Sequence, residues 1–302
     1  MGLLYIIGRG FCLLFTAGSP EPQQDISEVP TSFFCCLLSS GNCESTILQF
    51  MIYHYTTTAS LDGIIRNDGI YLRATHYQHL NDKNEVAWCQ ESLRDLCEDL
   101  KNMPDEEFQL YHNTPYIISF CGLHDDLNMW RLYGDNGKGI MFCFDYKMMK
   151  EISKLRPETV LGRVIYSNDE ERKEKYKQAL DNYDIITTND YVEDMFAACA
   201  FVKKDSYKIE HEERFAVILD KDINIQNGEI IMSESKKGIK NRMRGDELVP
   251  FMELRFPIEI LKKIVIGYEL NFEQAKEGIM EIFKQYESLY QNVQIEKSSH
   301  AQ

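Results

Sequence analysis

The stretch Tyr116–Asp145, YIISFCGLHDDLNMWRLYGDNGKGIMFCFD, constrains the fold most. It holds two apolar runs of strand length, 116–121 and 139–144, joined by a polar connection with three glycines and Trp130, one of two tryptophans. Runs this short bounded by turn-forming residues predict strands rather than buried helices. The flanking chain is read as bringing charged and aromatic residues toward this unit.

Upstream, Ile52–Thr56 (IYHYT) reads as a strand. Thr58 or Ser60 then caps a helix running to Asn67, with Gly69 as its stop and Ile70–Arg73 as a second strand. Ala74–Asp82 reads as a polar loop leading into a long helix over 83–103, whose Val86, Cys89, Leu93, Leu96, Cys97 and Leu100 recur at spacings of three and four. Downstream, Met148–Leu155 is predicted helical and Leu161–Tyr166 a strand. Two helices are expected within 169–205, and further strands at Glu212–Leu219, Glu229–Met232, Leu248–Phe256 and Ile264–Ile266. A helix from Phe272 to Tyr286, capped by Asn271, closes the domain. Some strands adjoin without a crossover helix, so the fold class expected is α+β, a mixed, largely antiparallel sheet flanked by helices.

Residues 1–50 differ in kind: no lysine, Arg9 as the sole arginine, and four of the nine cysteines. They are read as a poorly ordered or non-native extension, with one domain over 51–290 and a frayed tail after Gln291. The arginine sits inside the apolar run Leu3–Phe15, against the pattern of a secretory signal, and no apolar run is long enough to span a membrane. No cysteine pair has C-x-x-C spacing, and Cys121 and Cys143 lie inside apolar runs, which suits small buried hydrophobes in a reducing cytoplasm.

A formal charge of −15 argues against a general nucleic-acid surface, which needs clustered cations. Lys236–Arg244 (KKGIKNRMR) is the one candidate for a local basic groove, and reads otherwise as a solvated, mobile loop.

Four groups of residues bear on chemistry. In Glu210-His211-Glu212-Glu213-Arg214 a period of two puts Glu210, Glu212 and Arg214 on one strand face. Paired acids there suit general acid–base work or stabilisation of a developing cation, or else form a solvated strand end. His54, between Tyr53 and Tyr55, is predicted to face away from both, as a structural group or a ligand contact. Trp130 and Tyr133 share a helical face, fit either to stack on a planar ring or to fill the core. His76, His79 and Asp82 lack the pattern of a metal site, and no metal is expected. The glycine-rich 134–139 turn matches neither dinucleotide nor P-loop spacing.

Taken as an ordered series, His54-Tyr55-Thr56, Asn81-Asp82-x-x-Glu85, Ser119-Phe120, Met129-Trp130-x-x-Tyr133 with Gly139-Ile140, Lys203 or Lys204 before Glu210-x-Glu212-x-Arg214, and Phe256-Pro257 with Ile264-Val265-Ile266-Gly267 resemble the bacterial domain of unknown function 2971. The opening strand histidine, helix, glycine and second strand look like those of ADP-ribosyltransferase-type folds. That resemblance implies NAD as the small-molecule nucleotide bound, Glu212 as the catalytic carboxylate with Glu210 and Arg214 supporting it, and His54 as the ribose ligand. Tyr71 or Tyr133 is the implied stacking group, and Tyr55, Thr56, Arg73, Ser119 and Trp130 fall within the implied binding residues. No single tyrosine occupies the position that a His–Tyr–Glu triad would need. A nucleic-acid or protein acceptor and a role in bacterial toxin or phage-defence biology are the further expectations. The alternative is a non-catalytic nucleotide- or nucleic-acid-sensing module on the same scaffold.

Overall fold

The computed structural model describes residues 51–80, 88, 93, 98–101, 104, 115–156, 158–183, 197–218, 223–226, 229–232, 239–286 and 289–301. Expectations for residues 1–50, for Asn81-Asp82-x-x-Glu85, and for Tyr191 and Met195 in the second helix of 169–205 lie outside them.

In chain order the elements begin with β1 (Met51–Thr56), α1 (Leu61–Ile64), β2 (Ile65–Arg66), β3 (Gly69–His76), α2 (Glu98–Lys101), β4 (Pro115–Cys121), α3 (Leu127–Tyr133), β5 (Ile140–Asp145) and α4 (Tyr146–Lys154). They continue with β6 (Thr159–Arg163), β7 (Ile165–Ser167), α5 (Arg172–Tyr183), β8 (Val202–Lys204), β9 (Glu212–Ile218), β10 (Ile223–Gln226) and β11 (Glu229–Met232). The last are β12 (Ile239–Arg244), β13 (Glu247–Phe256), β14 (Leu261–Ile266), α6 (Phe272–Gln285) and β15 (Gln294–Lys297).

Eleven of the described strands form one sheet, along the path β12-β13-β3-β4-β1-β5-β14-β15, with β2 on β3, β9 on β4 and β6 on β9. Only β14–β15 pairs in parallel within it, so the chain is a mixed α+β protein with a largely antiparallel sheet. β5 is buried on both faces: Ile140, Phe142 and Phe144 enter one apolar cluster while Met141 and Cys143 enter another. That is why its sequence is an unbroken apolar run rather than an alternating one. The first face is covered by Met149 and Ile152 of α4 and Ile279 and Phe283 of α6. The second is covered by Met129 and Trp130 of α3, and beyond β4 by Tyr176 and Ala179 of α5.

β4 is where the sheet forks. One of its edges pairs with β9 along the whole of Pro115–Cys121. On the other edge β1 pairs only at Tyr53↔Cys121, and β3 only at Thr75↔Ile117 and His76↔Tyr116. The wing β1-β5-β14-β15 therefore separates from the wing β3-β13-β12, and among the described residues the edge of residues 118–120 has no strand partner. A backbone carbonyl removed from its ladder needs another donor, and His54 Nδ1 lies 3.0 Å from the Ser119 oxygen.

Several expectations need correction. The helix predicted up to Asn67 is a single turn, α1, because Ile65 and Arg66 turn back as β2 to pair with Ile70 and Gly69. Gly69 thus opens a strand rather than stopping a helix. Of the long helix expected over 83–103, the described residues include Glu98–Lys101. The solvated loop expected at Lys236–Arg244 contains β12, since Ile239–Arg244 pairs with β13 throughout. The tail is not frayed: β15 joins the sheet, and Ser298, Ser299 and His300 are tied to Asp125. α3 is capped by Asp126, whose side chain accepts from the Asn128 and Met129 amides.

Candidate functional site

The fork opens into a cleft of about 730 Å³, within the roughly 300–1,000 Å³ typical of small-molecule and cofactor sites. Its lining brings together Tyr53, His54, Tyr55 and Thr56 of β1, Tyr71 and Arg73 of β3, Ser119 and Cys121 of β4, Tyr133 of α3, and Lys203, Glu210, Glu212 and Arg214. His54, Glu210 and Glu212 thus line one cleft. They approach it from opposite faces of the sheet, however. His54 packs edge-on against Phe120, whereas Glu212 lies across from Cys121 in the β4–β9 ladder.

His54 is half-buried. Burial pulls its pKa below the ordinary histidine value, partly opposed by the bond to the Ser119 carbonyl. A neutral ring whose Nδ1–H donates to a carbonyl leaves Nε2 as an acceptor. No hydrogen-bond partner for Nε2 exists among the described residues. That suits a ligand hydroxyl.

The acids form a closed network. Arg214 donates from Nε to Glu212 Oε1 at 2.8 Å and from Nη2 to Oε2 at 2.9 Å, and its Nη1 reaches the Ala200 carbonyl at 2.7 Å. Lys203 Nζ bridges Glu212 at 3.0 Å and Glu210 at 2.6 Å, and the Tyr133 hydroxyl donates to Glu210 at 2.8 Å. Burial pushes the Glu212 carboxyl up, but Arg214, Lys203 and the Ser119 hydroxyl outweigh it and hold it at about 2. Burial, followed by the Glu210 charge, pushes the Tyr133 phenol up, so it stays a donor.

Glu210 reaches this network by a different route from the one expected. His211 adopts φ 43°, in the left-handed region, at the end of a short 3-10 turn over Asp205–Glu210. The strand therefore starts at Glu212. Glu212 and Arg214 share a face by alternation, while Glu210 is brought to them by the turn and by Lys203. Glu213 faces the other way and pairs with Arg163 at 2.9 Å.

Trp130 is not part of the cleft. It is fully buried, donates from its indole to Asp125 Oδ1 at 2.7 Å, and meets Tyr55 edge-on. Of the two expectations for that aromatic pair, core filling holds for Trp130, while Tyr133 lines the cleft. Tyr55 lines the cleft with its body while its hydroxyl donates to the Leu123 carbonyl and accepts from the Asp126 amide. Thr56 donates to the Ser60 hydroxyl. Tyr71 donates to Asp68, and one face of its ring carries the Arg66 guanidinium at 4.0 Å, which leaves a single face for stacking.

His76 and His79 lie near each other, with rings 5.9 Å apart. His79 is bound to Glu247 at 2.9 Å and His76 accepts from the Gln78 amide; Asp82 is outside the described residues. Among the described residues no group of three His, Cys, Asp or Glu side chains is arranged to hold a metal ion, and no helix is long and apolar enough to cross a membrane.

Sequence reasoning did not select Lys203, Arg242 or Arg244 as site residues. Lys203 meets Glu210 only because the 3-10 turn folds back. The two arginines carried a usable signal, the i, i+2 spacing of one strand face, hidden by reading the run as a loop.

No curated protein and no solved structure matches the chain. Residues 129–215, from α3 into β9 and including Tyr133, Lys203, Glu210, Glu212 and Arg214, match the family model described as Protein of unknown function (DUF2971).

Proposed function

We propose that the cleft binds a nucleotide and that the protein is an ADP-ribosyltransferase-like enzyme using NAD as substrate, acting in the cytoplasm on a nucleic-acid or protein acceptor. The observation that carries this reading is the convergence, at one fork in the sheet, of a neutral histidine with a spare acceptor nitrogen, tyrosines, and a carboxylate held ionised away from water. In this reading His54 Nε2 accepts from a ribose hydroxyl, and Tyr133 or the open face of Tyr71 packs on the nicotinamide. Glu212 is the fixed negative charge near the ribose. The bond from ribose C1′ to nicotinamide breaks with its electron pair leaving on nicotinamide. An acceptor oxygen or nitrogen, or water, bonds to C1′ and passes its proton to Glu210, the less enclosed acid. Positive charge develops on the ribose as the bond breaks, and a carboxylate already in place favours that state over the bound substrate. A place in bacterial toxin or phage-defence systems belongs to the same reading.

One observation favours a second reading, a nucleotide-sensing module without turnover. Lys203 and Arg214 match Glu210 and Glu212 charge for charge, so little net negative potential is left to stabilise a cation. Nicotinamide release from NAD separates the two. The enzyme predicts release by the wild type that falls at least about a hundredfold in Glu212→Gln and Glu210→Gln. Binding of NAD with no release establishes the sensor, and neither binding nor release removes both readings.

A further inference from the structure

In a protein whose formal charge is −15, one wall of the cleft gathers arginines. Arg73 on β3 and Arg242 and Arg244 on β12 line it, with Thr75 and His79 between. β13 lies between the two strands that carry them, pairing with each. Alternation sets Arg242 and Arg244 on one face of β12. The Arg73 and Arg242 guanidiniums both lie against the Phe251 ring, at 5.1 and 5.9 Å, and Arg242 Nη2 reaches the Thr75 hydroxyl at 3.5 Å.

Nearby acids do not balance these charges. Glu253 is taken by Arg66 at 2.7 Å and Lys240 at 2.8 Å, with Arg73 no closer than 3.9 Å. Glu247 serves Arg244 at 3.1 Å and His79 at 2.9 Å. Among the described residues no carboxylate lies within ion-pair distance of Arg242, and its Nε is buried without a hydrogen-bond partner. Holding three guanidiniums together, one of them with no counter-charge, is unfavourable in isolation, and an anion between them reverses the balance.

We propose that Arg73, Arg242 and Arg244, with the Thr75 hydroxyl, form a phosphate-binding site at this end of the cleft, which takes the phosphate or pyrophosphate of a nucleotide. The guanidinium fork matches phosphate oxygens in pairs, and a multiply charged anion answers more than one arginine at once. This rests on the nucleotide reading of the cleft above and adds to it which wall holds the phosphates.

The test is the thermal stability of the full chain titrated with inorganic pyrophosphate, ADP-ribose, adenosine and a short single-stranded oligonucleotide, for the wild type, Arg242→Gln and Arg73→Gln. Arg73 is 44% exposed at its side chain, so its substitution leaves the fold intact should Arg242→Gln unfold. The expected result is stabilisation by pyrophosphate and ADP-ribose but not adenosine, with apparent affinity about tenfold weaker in each variant. No stabilisation by pyrophosphate or ADP-ribose, or equal stabilisation of the variants, overturns the site. Stabilisation by the oligonucleotide alone, steeply salt-dependent, overturns the nucleotide assignment in favour of a nucleic-acid backbone. Arginine-dependent pyrophosphate binding without nicotinamide release keeps this site and removes the catalytic reading. Unchanged NAD turnover and KM in both variants does the reverse.

Discussion

Replacing Glu212 by glutamine should destabilise the protein, in a way that fades with acid. The side chain is 6% exposed and its two oxygens receive Arg214 and Lys203. Burial raises its pKa, but the two cations prevail and bring it from 4.5 to about 2. At about 1.4 kcal/mol per tenfold in proton affinity, that fall is worth about 3 kcal/mol. Removing one partner of a buried ion pair costs a comparable amount, about 3–5 kcal/mol, because the cations are left behind. The folded-state pKa is depressed, so this stability is fully present above the unfolded value of 4.5 and is lost as pH falls toward 2. Thermal and urea unfolding of wild type and Glu212→Gln at pH 7, 5, 4 and 3 should show a Tm gap of about 6–12 °C at pH 7 that narrows below pH 5. A gap under about 2 °C at neutral pH, or one that stays constant with acid, would refute the reasoning.

Trp130→Phe should cost about 1–2 kcal/mol, from the lost indole bond to Asp125, and leave ADP-ribose affinity unchanged; weakened binding in a stably folded variant would put Trp130 back in the site. Deleting residues 298–302 removes the bonds from Ser298, Ser299 and His300 to Asp125. It should lower Tm by about 5 °C or more, measured by calorimetry, and an unchanged Tm would mean that the tail is only resting there. Burial pushes the Cys121 and Cys143 thiols up to about 12. A thiol reagent at pH 8, read by peptide mass spectrometry, should label them only after unfolding. Because His54 is lowered, it stays neutral through pH 7, so ADP-ribose affinity should hold steady from pH 8 to pH 6.5 and decline under further acid. Affinity that rises with acid contradicts an acceptor role.

The parts of the fold legible in the sequence were those set by local pattern. Ile140–Phe144 is apolar at every position because it packs on both faces, and Asn271 caps α6 by accepting from the Gln274 amide. The single turn of α1 was not legible, because Ile65 and Arg66 leave the helix for a partner that lies in β3. Nor was the order of the tail: Gln294–Lys297 is held by β14, and Ser298 and Ser299 by an aspartate far away along the chain. In the site, the sequence carried the identities of His54, Glu210 and Glu212 but not their geometry. Alternation from Glu210 onward fails at His211, whose positive φ ends the 3-10 turn. Trp130 and Tyr133 share a helix face in sequence, yet the indole is drawn to Asp125 while the phenol reaches Glu210. Such divisions depend on hydrogen-bond partners outside the helix, one of them 77 residues along the chain, that no periodicity records.

The account stands on the fork in the sheet being the place where a nucleotide binds. A crystal structure of the full chain with ADP-ribose tests this most directly. The prediction is a ligand lying between β1 and β3, with a ribose hydroxyl on His54 Nε2 and phosphates against Arg73 and Arg242. A ligand bound elsewhere on the molecule, or a cleft left empty at saturating ADP-ribose, would contradict it.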